Sequence, residues 1–118
     1  MMHTAIIIDD SKTSRSVLRN ILVEHGYEVL AEAENGQEGF DKYCEFKPDF
    51  VTLDITMPVM DGIETLVKIK DYDSTAKVIM VTAAGQKNKM LEAIKLGAAE
   101  FVTKPFETNQ IINILESL

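Results

Sequence analysis

Five short apolar runs alternate with five stretches in which apolar residues recur at helical spacing. The first run, Thr4 to Ile8, is rich in β-branched residues. Val17, Leu18, Ile21 and Leu22 follow at helical spacing, and Gly26 closes that helix. Glu28 to Ala33 reads as a second strand, with Val29, Leu30 and Ala31 at its centre. Asn35-Gly36 then turns the chain into a helix carrying Phe40, Tyr43 and Cys44. It stops before Pro48, because proline disfavours helical geometry in the residue ahead of it. Phe50-Val51-Thr52-Leu53 is the third strand. A loop with Pro58 and Gly62 leads into a helix whose inner face is predicted to be Ile63, Leu66 and Val67, with Asp61 as its cap. Val78 to Val81 is the fourth strand, and Met90, Leu91, Ile94 and Gly97 mark the helix after it. Phe101-Val102 is a short fifth strand, and Ile111, Ile112, Leu115 and Leu118 line the last helix.

Strands 1, 3 and 4 are near-continuous apolar runs, as parallel strands covered on both faces require. Strand 2 carries Glu28 and Glu32, which suits an edge. Strict βα alternation with right-handed crossovers predicts an α/β fold with one doubly wound, five-stranded parallel sheet. At 118 residues the chain has the size of one domain, 1–118.

Composition narrows the function more than the fold. Twelve Lys and Arg against nineteen Asp and Glu give a net charge of −7. That balance argues against a nucleic-acid partner, which needs clustered positive charge, and favours ions or partners that bring it. The single cysteine, Cys44, forms no internal disulfide, so a reducing compartment is expected. No apolar run approaches the ~20 residues that cross a bilayer, so membrane insertion is not expected. Met1-Met2-His3-Thr4 carries no signal-peptide pattern, and a cytoplasmic location is expected.

In doubly wound sheets the ligand site lies beyond the carboxyl ends of the strands, where strand order reverses. The polar residues at those ends are Asp9-Asp10, Asp54, Thr82 and Thr103-Lys104-Pro105. Taken singly, each has an ordinary reading: Asp10 as a helix cap, Thr82 as a strand-end threonine, Lys104 as a surface lysine. Asp54 has no such duty at the end of the apolar run Phe50 to Leu53. Three clustered carboxylates resist ionisation unless a cation is present. An all-oxygen, highly negative ligand set selects a hard ion such as Mg²⁺. With Lys104 as a second positive charge, the rim suits phosphoryl transfer, where catalysis is mostly positioning and charge neutralisation.

Four motifs carry a family resemblance: Ile7-Ile8-Asp9-Asp10-Ser11, Leu53-Asp54-Ile55-Thr56-Met57-Pro58-Val59-Met60-Asp61-Gly62, Val81-Thr82-Ala83-Ala84 and Lys104-Pro105-Phe106. On them the chain resembles receiver domains of bacterial two-component systems, specifically the CheY-like stand-alone chemotaxis regulators. The resemblance implies the flavodoxin-like strand order 2-1-3-4-5 and a response regulator phosphorylated on Asp54. It implies that Asp9, Asp10, Asp54 and the backbone carbonyl of Thr56 hold Mg²⁺. Lys104, the Thr82 hydroxyl and the Ala83 N–H would meet phosphoryl oxygens, and Pro105 would follow a cis peptide bond. Phe101 stands where many members place a tyrosine, so a switch here must work through packing without a hydroxyl.

The implied partners are a sensor histidine kinase, a phosphatase, and a flagellar motor switch protein or other output protein bound through helix 4, strand 5 and helix 5. Lys87 and Lys89 oppose the dipole of helix 4, which suits an end that meets an acidic partner. A haloacid-dehalogenase-like phosphatase would need an acid where Thr56 stands. A flavodoxin-like electron carrier would need a hydroxyl-rich loop where Asp9-Asp10 stand. A non-chemotactic receiver, a phosphorelay intermediate or a piece of a transcriptional regulator, remains the alternative.

Overall fold

A computed structural model describes residues 3–83 and 85–118. The two leading methionines and Ala84 of the fourth-strand motif lie outside the described residues. The order is β1 (Thr4–Ile8), α1 (Lys12–Glu24), β2 (Glu28–Ala33), α2 (Gly36–Phe46), β3 (Phe50–Asp54), α3 (Gly62–Tyr72), β4 (Val78–Thr82), α4 (Lys87–Lys95), β5 (Glu100–Thr103) and α5 (Thr108–Ser117). All strand pairs are parallel and the sheet runs β2-β1-β3-β4-β5, as expected from the sequence. The chain runs outward from β1 to β2, then returns across β1 to lay down β3. The carboxyl ends of β1 and β3 therefore flank the reversal point.

Side-chain alternation sends two apolar sets to opposite faces. Ile6, Ile8, Val51, Leu53, Val78 and Met80 face one helical layer together with Leu66, Ile69 and Ala93. Ala5, Ile7, Phe50, Ile79, Val81 and Val102 face the other, with Leu18, Leu22, Ile111 and Leu115. β1, β3 and β4 are almost wholly buried, which is why their sequences read as unbroken apolar runs.

The helical faces differ from the apolar spacing at several positions. On α3 the buried stripe is Gly62, Thr65, Leu66 and Ile69, while Val67 is 37% exposed. A polar residue belongs to that stripe because the Thr65 hydroxyl donates to the Asp61 carbonyl at 2.8 Å, one turn back. On α1 Val17 faces outward and Arg15 inward. On α4 the residue against the sheet is Ala93, fully buried, whereas Leu91 and Ile94 are 54% and 42% exposed. A methyl side chain there lets the helix lie close to the sheet, and only Met90 of the expected set packs partly against the core.

Between β3 and α3 two backbone features shape the loop beside Asp54. A Cβ on Gly62 would come 2.2 Å from the Asp54 carbonyl oxygen and 2.6 Å from Ile55 Cα, so only glycine fits there. Its N–H donates to the Ile55 carbonyl at 2.7 Å, folding the loop back under the strand end. Val59 adopts φ 69°, a left-handed conformation costly for a β-branched residue, and is 84% exposed. Since few side-chain contacts are lost, Val59→Asn is expected to stabilise the fold by roughly 1 kcal/mol. A urea melt should show a higher midpoint with an unchanged slope.

Candidate functional site

Beyond Ile8 the chain leaves the sheet at Asp9, whose N–H still donates to the Ala33 carbonyl of β2 at 3.0 Å. The Asp9 carboxylate is almost fully buried and accepts from the Ser11 N–H at 2.9 Å. Ser11, not Asp10, caps α1: its hydroxyl oxygen accepts from the Ser14 N–H at 3.2 Å. Asp10 is thereby left exposed and free of the capping duty that was its ordinary reading.

Asp54 ends β3 at the centre of the sheet and is 6% exposed. Among the described residues its Oδ1 receives one long contact, from the Thr56 N–H at 3.4 Å. One carboxylate oxygen from each of Asp9, Asp10 and Asp54 lies within 4.8 Å of the others. Such a set fits a hard divalent cation and would be hard to keep fully ionised without one.

Lys104 reaches the same pocket from beyond β5. Register explains how: Thr103 pairs with Thr82 and the Lys104 N–H donates to the Thr82 carbonyl at 2.8 Å. Its Nζ then stands 3.0 Å from Asp9 Oδ2 and 3.4 Å from Asp54 Oδ2. Burial works against the ammonium, but the Asp9 and Asp54 carboxylates outweigh it and raise its pKa. The Asp54 carboxyl is pushed up to about 6, by burial first and then by the Asp9 charge, with Lys104 opposing. At neutral pH Asp54 is therefore mostly ionised yet more basic than an ordinary carboxylate, a useful property in an oxygen nucleophile. The Lys104–Pro105 peptide is cis.

Thr82, almost fully buried, ends β4. Its hydroxyl lies 2.9 Å from Gln86 Oε1 and 3.0 Å from the Ala83 carbonyl. Phe101, half-buried, pairs in register with Met80 and packs against the same core cluster. Met80 and Thr82 share a sheet face by the two-residue alternation, so Phe101 sits one step from Thr82 on the side of α4.

Two residues of this neighbourhood were not among the expected site residues. Arg15, inward-facing on α1, donates to the Asp9 carbonyl oxygen at 2.7 Å and to Glu32 at 3.1 Å. It pins the backbone that presents Asp9, and its only sequence signal is a charge among the inward positions of an amphipathic helix. Gln86 joins its near neighbours Thr82 and Ala83 to Thr56, 30 residues away in sequence, and spacing gives no sign of that last contact.

The response regulator receiver domain family matches residues 5–116. The chain belongs to that family. The receiver is 50% identical over 115 residues to the chemotaxis protein CheY of Listeria monocytogenes, covering 98% of this chain and 97% of the relative. It is 45% identical to CheY of Bacillus subtilis, covering 98% and 96%. Among solved structures, the CheX-CheY-BeF3-Mg²⁺ complex of Borrelia burgdorferi matches with TM-score 0.93 and 34% identity, over 98% of this receiver and 87% of that chain. The receiver is a signalling domain of the two-component type with chemotaxis regulators among its relatives. Among the described residues, no helix is long and apolar enough to cross a membrane.

Proposed function

We propose that residues 1–118 act as one receiver in which Asp54 takes a phosphoryl group from a histidine kinase. The supporting observation is the buried Asp54 carboxylate, between Asp9 and the Lys104 ammonium at the reversal point of the sheet. Asp9, Asp10, Asp54 and the Thr56 carbonyl would hold Mg²⁺, as their oxygen-only chemistry suits. When bound, that ion supplies neutralising charge for the phosphoryl oxygens.

An Asp54 oxygen forms the new bond to phosphorus while the bond from phosphorus to the donor imidazole nitrogen breaks. The electron pair stays on the imidazole, which takes a proton from solvent. Lys104 offers its ammonium to one phosphoryl oxygen and the Thr82 hydroxyl and Ala83 N–H bond to another. The group brings roughly −1.5 to −2 charge into a buried pocket. Thr82 moves toward it, the space behind β4 opens and Phe101 turns inward by packing alone. Water attack on phosphorus resets the site, unaided or with a phosphatase.

Output passes through the face of α4, β5 and α5, where Leu91, Ile94 and Leu96 are exposed. The likeness to chemotaxis proteins supports a role in chemotaxis, and the output partner in this reading is a flagellar motor switch protein, with the receiver acting in the cytoplasm. Incubation with acetyl phosphate and Mg²⁺, followed by intact-protein mass spectrometry, tests the reading. One base-labile, acid-stable phosphoryl group mapped to Asp54 and lost on chelation is expected. Label on serine or histidine would overturn it.

A further inference from the structure

Gln86 stands at the N-cap of α4 but caps nothing with its side chain. Its carboxamide turns instead toward the pocket rim. Oε1 accepts from the Ala83 N–H at 3.1 Å and lies 2.9 Å from the Thr82 hydroxyl. Nε2 donates to the Thr56 hydroxyl at 2.5 Å. The orientation of the amide follows from chemistry: a backbone N–H only donates, so the oxygen must face Ala83 and the nitrogen Thr56.

Two facts make this arrangement more than a surface contact. Oε1 takes the Ala83 N–H and lies against the Thr82 hydroxyl, whose one proton also has the Ala83 carbonyl within 3.0 Å, and these two donors are the pair assigned above to a phosphoryl oxygen. The other end of the amide holds Thr56, whose own N–H touches the Asp54 carboxylate. One side chain thus bridges the loops after β3 and β4 and links them to the first residue before α4.

We propose that Gln86 is a latch whose amide oxygen stands in for a phosphoryl oxygen in the unmodified receiver. The inference rests on Asp54 as the phosphoacceptor. A phosphoryl oxygen and the Gln86 oxygen compete for the same two donors, so modification displaces the amide. Displacement frees the residue at which α4 begins. That helix is poorly held at this end, with no side-chain cap and with Lys87 and Lys89 opposing its dipole. Loss of the latch therefore lets the exposed face carrying Leu91 and Ile94 shift as a unit. Gln86 is a positioning residue: it sets how readily the pocket accepts the group and couples that acceptance to α4.

The test compares Gln86→Met, which keeps the length without hydrogen bonds, with Gln86→Glu, which keeps the acceptor and adds negative charge. The probe is beryllofluoride with Mg²⁺, a tetrahedral stand-in for the phosphoryl group, followed by ¹⁹F NMR. Gln86→Met should bind it roughly threefold to tenfold more tightly, the scale of one hydrogen bond lost from the empty state. Gln86→Glu should bind it at least about tenfold more weakly, since a carboxylate holds the donors more strongly and repels the ligand. A purely structural role would move both variants in the same direction. In metal-free protein, Gln86→Met should also speed amide exchange at Ala83 and in the first turn of α4. Unchanged or weaker beryllofluoride binding by Gln86→Met would overturn the latch. Failure of the unmodified protein to bind the probe, or binding retained in Asp54→Ala, would instead remove the phosphoacceptor reading beneath it.

Discussion

Asp54→Asn is expected to reduce phosphoryl labelling to background while making the metal-free protein more stable at neutral pH. The first effect follows because an amide oxygen is a poor nucleophile in the same position. The second follows from charge. Burial and the Asp9 carboxylate raise the Asp54 carboxyl from 3.8 to about 6. An acid whose pKa is higher folded than unfolded binds its proton more tightly in the native state. The native state therefore loses stability as pH rises through the window from about 4 to about 6, and the cost is constant above it. A shift of that size corresponds to at most about 3 kcal/mol, and solvent screening at the open side of the pocket reduces it to roughly 1–2. Asparagine carries no such cost, so its advantage should vanish near pH 4 and reach its full size by neutral pH. Urea melts of both proteins at the two pH values give the difference directly. Adding Mg²⁺ should narrow the gap, because a ligand bound only by the native state stabilises it. An equal advantage at both pH values would show that the gain has another source.

Removing Lys104 should act in the opposite direction. Its ammonium is the counter-charge for two buried carboxylates, 3.0 Å from Asp9 and 3.4 Å from Asp54. Lys104→Ala leaves those carboxylates facing each other without it. Breaking a fully buried pair costs about 3–5 kcal/mol, and the lysine here keeps some solvent exposure, so a loss of roughly 1–3 kcal/mol in metal-free buffer is expected. The raised lysine pKa has the matching sign: its stabilisation is complete below the ordinary lysine value and is lost as pH rises from there through the folded value. The Lys104→Ala loss should shrink toward pH 4, where the Asp54 carboxylate takes up its proton. It should also shrink in the Asp54→Asn background, where one of the two charges is gone. A double-mutant cycle measures that coupling. Phosphorylated Lys104→Ala should signal weakly, since the phosphoryl oxygens lose their cationic partner.

The fold was legible because its determinants are local and repeated. Ala5 to Ile8, Phe50 to Leu53 and Val78 to Val81 are buried on both faces, so their sequences carry no polar alternation and announce central parallel strands. The chemistry was legible for a related reason. In a parallel sheet every strand ends on the same rim, so Asp9, Asp10, Asp54, Thr82 and Lys104 could be brought together from strand ends alone. Their motifs then placed the chain in its family.

Helical faces were less legible, because apolar spacing leaves the rotation of a helix free by one residue. Leu91 and Ile94 are apolar yet exposed, while Ala93 and Thr65 are buried for reasons of fit and of a satisfied hydroxyl. The sequence by itself determined the layers, the strand ends and the acids and lysine that meet there. Only the tertiary structure decided that Ser11 and not Asp10 caps α1, that Arg15 holds the backbone of Asp9, and that Gln86 spans Thr82, Ala83 and Thr56. The physical reason is range. Strand and helix patterns repeat every two or 3.6 residues and are written into neighbouring positions. A hydrogen bond between the loops after β3 and β4 depends on where two separate segments end in space, and nothing in the residues adjacent to Gln86 encodes that.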